Sequence, residues 1–335
     1  MAVILVTGGA GYIGSHTCKT LARAGHTPVT YDNLSRGFAH AVKWGPFERG
    51  DILDGARLAE VIARHRPEAA IHFAAFAYVG ESMLDPAIYY RNNVVGTLTL
   101  LEAMRAGGVA QIVFSSSCTT YGVRSCDPIT EETPQAPADA YGRSKTMVEQ
   151  ILRDYARAYE LKAIALRYFN AAGADPEGEI GEDHDPEPHL IPLLLDATAR
   201  GAPFTINGDD YDTPDGTCVR DYVHVSDLAD AHLLALDALQ RQDDGFRAFN
   251  LGTGHGFSIR EIIDATRRRL GREIEINVGA RRPGDLDATT AIADLARREL
   301  GWTPQLSNMD DIIDTAWRWR LRRLNRAGMG VEPVS

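Results

Sequence analysis

The sequence predicts an α/β protein, a doubly wound parallel sheet of the Rossmann type joined to a smaller mixed α/β lobe. Three observations carry this. The chain opens on an apolar strand that runs straight into a glycine turn and a helix; strands and helices then alternate up to Ala172; and from Gly173 the texture turns rich in Gly, Pro, Asp and Glu. Alternation of this kind places helices on both faces of a parallel sheet. The change at Gly173 marks passage into a second lobe. The expected division is residues 1–172 and 173–335, with the segment near 220–240 rejoining the first lobe.

Composition narrows the function classes. With 335 residues the chain can bury a large core. Hydrophobic residues make up 44% and charged residues 24%, ordinary for a soluble globular protein. A formal net charge of −11 argues against nucleic acid or an anionic membrane as partner. Cys18, Cys118, Cys126 and Cys218 show no metal-ligand spacing, so no metal is expected and a reducing, cytoplasmic compartment is the simplest home. The amino terminus lacks a charged start and a cleavage site, and no apolar run approaches membrane-spanning length.

Taken in order, Ala2 to Thr7 is a buried strand. Gly8, Gly11 and Gly14 follow at G-x-x-G-x-x-G spacing, and a helical pattern through Ile13, Thr17 and Leu21 runs to Gly25. This order lets backbone N–H groups and a helix amino end face a pyrophosphate. The next strand, Val29 to Tyr31, ends in Asp32, whose carboxylate suits adenosine ribose hydroxyls and repels a 2′-phosphate. Strand, turn, helix and acid together predict a dinucleotide site selective for NAD. Arg36 argues mildly for NADP, and Asp32 outweighs it.

The rhythm continues. A short strand ends at Gly50 to Ile52, a helix spans Gly55 to Arg66, and Ala69 to Ala74 is a buried strand closing on small residues. Asp85-Pro86 opens a long helix to Gly107, with Pro86 in its first turn and Asn92, Asn93 and Gly96 as poor helix formers inside it. Gln111 to Phe114 leads into Ser115-Ser116-Ser117, hydroxyls at the carboxyl end of a strand, where doubly wound sheets hold ligands and where serine also caps turns. Ala163 to Tyr168 is the next strand. Beyond Gly173, Leu190 to Arg200 reads as a helix, Thr205 to Asn207 as a strand, and Ser258 to Glu261 as a capping box opening a helix to Leu270. The last helix, near Asp310 to Leu324, carries Trp317, Leu321 and Leu324 on one stripe, with the arginines read as a solvated face.

The chemistry concentrates in Asp139-Ala-Tyr141-Gly-Arg-Ser-Lys145, which opens a helix through Val148, Ile151 and Leu152. Four residues apart, Tyr141 and Lys145 share one helix face. A phenol ionises near pH 10, and a neighbouring ammonium favours the phenolate, so the pair offers a proton acceptor nearer neutrality. Taken alone, Y-x-x-x-K also fits an ordinary helix surface.

Thr7-Gly-Gly-x-Gly-Tyr-Ile-Gly14, Ser115-Ser-Ser117, Tyr141-x-x-x-Lys145 and Arg167-Tyr-Phe-Asn170 together resemble the extended short-chain dehydrogenase/reductase family. Asp32-Asn-Leu34, Gly80-Glu-Ser82, Asn92-Asn93, Gly181-Glu-Asp183, Gly216-Thr-x-Val-Arg-Asp-Tyr222 and Arg281-Arg-x-Gly-Asp285 are similar to its UDP-hexose 4-epimerase branch, over nearly the whole chain. The resemblance implies reversible C4 epimerisation of UDP-glucose and UDP-galactose through a 4-keto intermediate, with tightly held NAD, in a homodimer paired through helices near 87–106 and 140–158. It implies that Gly8, Gly11, Tyr12, Ile13 and Gly14 hold the pyrophosphate, and that Asp32, Asn33, Leu34, Ser35 and Arg36 face the adenosine ribose. Asp51 and Ile52 would flank the adenine, and Phe73, Ala74, Ala75 and Ala77 the cofactor's length. Asn92, Tyr141, Lys145 and Phe169 would lie near its nicotinamide half. Ser117 would bond the sugar 4-oxygen or relay its proton to Tyr141. Asn170, His189, Leu190, Arg220, Arg282, Asp285 and Thr289 would line the nucleotide-sugar site.

Three positions depart from the family pattern: Ala77 replaces a lysine, His189 an asparagine, and Thr289 a tyrosine found in some relatives. The wording of Phe73 to Glu81 is also similar to UDP-pentose epimerases, and a small residue at 289 leaves room for UDP-N-acetylhexosamines. Cys118-Thr119-Thr120 stands where nucleotide-sugar 4,6-dehydratases carry Asp-Glu, which argues against dehydration. A noncatalytic dinucleotide sensor would have no need of Ser117, Tyr141 and Lys145 together.

Overall fold

The computed structural model describes residues 1–122, 128–241, 245–281 and 286–326. β1 (Val3–Thr7) leads into α1 (Tyr12–Arg23), β2 (Thr27–Asp32), β3 (Phe47–Arg49), α2 (Gly55–His65) and β4 (Ala69–His72). Two short helices follow, α3 (Val79–Leu84) and α4 (Pro86–Tyr89), then α5 (Gly96–Ala106), β5 (Gln111–Ser117), α6 (Ala140–Tyr159) and β6 (Lys162–Tyr168). The later chain supplies β7 (Asn170–Ala172), α7 (Leu190–Arg200), β8 (Phe204–Asn207), β9 (Val219–His224), α8 (Val225–Arg241) and β10 (Phe246–Leu251). It ends with β11 (Gly256–Ser258), α9 (Ile259–Leu270), β12 (Ile276–Gly279), β13 (Ala288–Thr289), α10 (Asp294–Leu300) and α11 (Met309–Arg326).

Seven strands form one parallel sheet in the order β3-β2-β1-β4-β5-β6-β10, the doubly wound arrangement expected from the sequence. Successive side chains of a strand point to opposite faces. Ile4 and Val6 accordingly join Leu21, Leu228 and Leu239 in one buried cluster, while Leu5 joins Leu58, Leu100, Val148 and Leu152 in another. A third cluster, around Leu194, Ile206, Ile262, Ile312 and Trp317, is the core of the carboxyl-terminal elements. There β9 pairs with β7, β11 and β13, and β8 pairs with β12. Strand β10 returns to the large sheet beside β6. Among the described residues no helix is long and apolar enough to cross a membrane.

The strand order reverses between β1 and β4, so a crevice opens at their carboxyl ends, where open α/β sheets hold ligands. Two expectations need correcting. The long helix ending at Gly107 is not uniform: Tyr90–Val95 is a π-helical turn. That wider turn puts the Asn93 amide inside the protein, where it accepts from Phe76 N (2.8 Å) and donates to Phe76 O and Ser144 Oγ (3.0 Å each). In α11 the arginines are not all solvated. Trp317, Leu321 and Leu324 are buried as expected, but so are Trp319 and Arg320, whose guanidinium pairs with Asp196.

Candidate active site

The crevice is closed down by glycine. Gly8 has φ +75°, and a Cβ there would lie 2.6 Å from Ala74 N, so only glycine lets the turn pass β4 this closely. A Cβ on Gly14 would collide with Gly8 O, which locks the start of α1 onto the turn. The amino end of α1 has no side-chain cap from Gly11 and no acid in its first turn, leaving its backbone donors to the crevice. Asp32 stands at the end of β2, its carboxylate accepting from Ala10 N (3.0 Å) and Leu34 N (2.8 Å). Burial raises its pKa while those two N–H groups pull the other way. Leu34 takes the left-handed conformation, φ 62°, which turns the chain at the rim. This cradle and its buried acid fit a dinucleotide.

The residues expected on the adenosine side lie along the same rim. Asn33 donates to Asp51 (2.9 Å) and accepts from Ser35 N (2.9 Å). Ile52 is buried against Gly96, where any Cβ would strike it, and this explains a glycine inside that helical run. Arg36 is committed elsewhere. It pairs with Glu81 at 2.5 Å and lies 5.2 and 5.1 Å from the ring centroids of Phe76 and Tyr78. Phe73 and Ala74 both donate their N–H to Thr7 O, fixing the strand end, while Ala75 is partly buried and Ala77 exposed. Asn92 donates to Asn93 Oδ1 (3.0 Å), so it touches the buried amide that ties the π turn to the helix carrying Tyr141.

Asp139 caps α6 by accepting from Gly142 N at 2.8 Å, which sets Tyr141 and Lys145 in the first two turns. Lys145 Nζ donates to Ser115 O (2.6 Å) and stands 4.8 Å from the Phe114 ring centroid and 5.7 Å from that of Tyr141. Ser117 Oγ accepts from Thr119 N (3.2 Å) and Thr119 Oγ1 (3.0 Å). The electrostatics differ from the simple pairing expected. Burial pushes the Tyr141 phenol well above its ordinary value, Tyr168 adds to this, and the Ser117 hydroxyl opposes it. Burial also pushes Lys145 down to about 7, against the pull of Glu149. Desolvation is the largest influence on both groups.

Sequence reasoning missed the support behind this pair. Glu149, four residues after Lys145 on α6, is fully buried and accepts from Ser116 Oγ (2.7 Å), Arg167 Nε (2.8 Å) and Gln135 Nε2 (3.0 Å). Arg167 also donates to Tyr121 OH (2.8 Å), which in turn reaches Asn250 (2.6 Å). Buried His72 bridges Thr7 and Thr97 at 2.7 and 2.8 Å. An acid at Lys145+4 on an apolar helix face was the available signal.

Around the opposite wall, Phe169 packs with Tyr121, Ile129 and Ala291, next to Cys118. Asn170 donates to Asp221 O (2.9 Å), and Arg220 pairs in register with Thr289 across β9 and β13. His189 heads α7, immediately before Leu190, and its Nδ1 lies 2.7 Å from Glu182 and 3.1 Å from Glu187. Burial opposes a charge there, but these carboxylates outweigh it and hold the imidazole up at about 10. Arg282 and Asp285 lie outside the described residues, as does Cys126.

Comparison with known proteins gives the chain a family. Residues 4–252 match the model of the NAD dependent epimerase/dehydratase family. The chain belongs to that family. Its relatives in the family include a UDP-glucose 4-epimerase of Rhizobium meliloti, 53% identical over 97% of this chain and 98% of that protein. Among solved structures, the UDP-glucose 4-epimerase of Brucella ovis in complex with NAD is 52% identical, with a TM-score of 0.92 over 99% of each chain. The Bifidobacterium longum UDP-glucose 4-epimerase, solved with NAD⁺ and UDP, is 40% identical, with a TM-score of 0.90 over 96% of this chain and 99% of its own.

Proposed function

We propose that this NAD-dependent enzyme inverts C4 of UDP-hexoses, interconverting UDP-glucose and UDP-galactose. The observation that carries the reading is the convergence of Ser117, Tyr141 and Lys145 beside the Gly8–Ala74 crevice. Tyr141, as phenolate, takes the proton of the sugar 4-hydroxyl, and Ser117 orients that oxygen or relays its proton. Lys145, anchored on Ser115 O, supplies positive charge next to the phenol. NAD, when bound, supplies the oxidised ring that accepts hydride from C4 and gives it back, and its positive charge favours the phenolate that burial alone disfavours. Arg220 and the head of α7 at His189 and Leu190 suit the grip on UDP, because guanidinium forks and helix amino ends both favour phosphate. Arg282 and Asp285 are assigned to the same grip by the family pattern. Asp32 and the commitment of Arg36 to Glu81 support NAD over NADP. Incubating purified protein with UDP-galactose and separating the products by chromatography tests the reading: UDP-glucose should accumulate to a fixed ratio from either side, and no conversion would reject it.

The free thiols of Cys18, Cys118 and Cys218 suit a cytoplasmic home. Val95 at the end of the π turn, with Met147 and Tyr159 of α6, is 49%, 41% and 51% exposed. Large apolar side chains standing out on this helix pair suit a homodimer interface there. Light scattering should give twice the chain mass, and Met147→Glu should shift it to the monomer.

A further inference from the structure

The two carboxylates that flank His189 Nδ1 also flank a second imidazole, so that four side chains of one short segment converge. Glu182 Oε1 lies 2.7 Å from His189 Nδ1 and 3.3 Å from His184 Nδ1. Glu187 Oε1 lies 3.1 and 3.5 Å from the same two nitrogens. One donor atom from each of the four residues lies within 4.8 Å of all the others. Nitrogen and oxygen ligands held at about 2.0–2.1 Å around a tetrahedral ion stand about 3.3 Å from one another. The four separations, 2.7 to 3.5 Å, bracket that value, and the donor set is of the right kind.

A second observation points the same way. The Glu187 side chain is 6% exposed, yet its Oε2 is buried with no hydrogen-bond partner. His184 Nδ1 is likewise buried without one, because its approaches to the two carboxylates lack hydrogen-bond geometry. A buried polar atom left unpaired costs about 1–3 kcal/mol, and a bound ion is one way to recover it. The other acidic group, Asp175, Glu177 and Glu179, makes the contrast: the Lys19 ammonium already sits among its three carboxylates at 2.7, 2.9 and 2.6 Å.

We propose that Glu182, His184, Glu187 and His189 bind one divalent transition metal ion of the zinc type. Imidazole and carboxylate together suit zinc and its neighbours better than magnesium or calcium. Four protein ligands leave no open position, which marks a structural clasp rather than a reactive centre. The clasp would close the segment that leads into α7, with the His184 ring standing edge-on to Tyr12 and Tyr78 at 6.3 and 5.8 Å between centroids. Protonated imidazoles would answer the same two carboxylates, and the experiment separates the two.

The full chain, with its bound NAD, is stripped with a chelator and then titrated with Zn²⁺ and Co²⁺. Expected are one equivalent of metal per chain, the intense visible absorption of four-coordinate Co²⁺, and a higher melting temperature with either ion. His184→Ala and Glu187→Gln should each weaken binding by about tenfold or more. His40→Ala, which removes a contact to Asp183 and ring stacking on Phe38 and Trp319 but none of the four donors, should bind as the parent does. Failure of the parent chain to take up metal at micromolar concentration overturns the proposal. So does a weak six-coordinate Co²⁺ spectrum, which needs no variant to fold, and so does parental binding in both ligand variants.

Discussion

Glu149 of α6 and Arg167 of β6 form a two-pronged ion pair, both side chains almost wholly buried, one helical turn from Lys145. The pair joins the helix that carries the reactive side chains to the strand beside Ser115–Ser117. It also keeps a negative charge within reach of the Lys145 ammonium, the one influence that raises the lysine against burial. Glu149 is thus a positioning residue. Removing one partner from such a pair typically costs about 3–5 kcal/mol. Glu149→Gln should therefore lower the melting temperature and, by depressing Lys145 further, reduce kcat more than it raises KM. An unchanged melting temperature together with unchanged kcat would show that the pair neither holds the helix nor tunes the lysine.

Tyr141→Phe removes one oxygen from a buried ring that packs 6.4 Å, centroid to centroid, from Tyr89. The fold and the NAD cradle around Gly8 and Asp32 do not depend on that oxygen. Turnover should fall by the ~10²–10⁴ expected for loss of general acid–base catalysis, with NAD still extractable at the parental ratio. Residual activity within about tenfold of the parent would move the proton transfer to another group.

How much of this could be seen in the sequence depended on whether the signal was local. The β1–turn–α1 unit and Asp32 were legible because glycine spacing and strand ends act within some twenty residues, and Asp139 announced α6 by capping it. Glu149 and Arg167 were hidden because their meaning lies in a contact between a helix and a strand. Arg320 looked solvated because helical spacing cannot show that Asp196 approaches from α7. Glu182 to His189 read as a passage between lobes, since its donor spacing becomes a cluster only when the segment folds back on itself.

Acid stability should follow the buried imidazoles. Burial pushes His16, His72 and His232 down to about 4, about 3 and about 4. An unfolded histidine titrates near 6.5, so as pH falls below that value the unfolded chain takes up protons that the native chain refuses. The stability tied to neutral imidazole is complete above pH 6.5 and is lost towards pH 4, at about 1.4 kcal/mol per unit for each group. Melting temperatures should fall steeply across that window. His232, whose Nε2 is buried without a partner while Nδ1 faces Leu228 O, offers the cleanest variant. His232→Phe should flatten the acid limb, and a limb as steep as the parent's would remove this histidine from the account.

By the family resemblance, Thr289 lies against the sugar, and the width of that pocket would then turn on it. Its neighbour Thr290 directs a methyl towards Gly256, where a Cβ would come within 2.8 Å of it. Residues along an extended strand alternate, so Thr289 shares a face with Ala291, which packs with Phe169 and Tyr121 beside Cys118. The register partner of Thr289 is Arg220. A threonine there leaves space that a tyrosine ring would fill, and an N-acetyl group at C2 of the sugar could occupy it. Exclusion by clash disappears when the bulky side chain does. The chain should therefore turn over UDP-N-acetylglucosamine and its galacto epimer as well as the unsubstituted pair. Thr289→Tyr should depress the N-acetylated reactions and spare UDP-galactose. A parent enzyme inert towards N-acetylated sugars would refute the open pocket, and equal losses on both substrates would show that position 289 is not the gate.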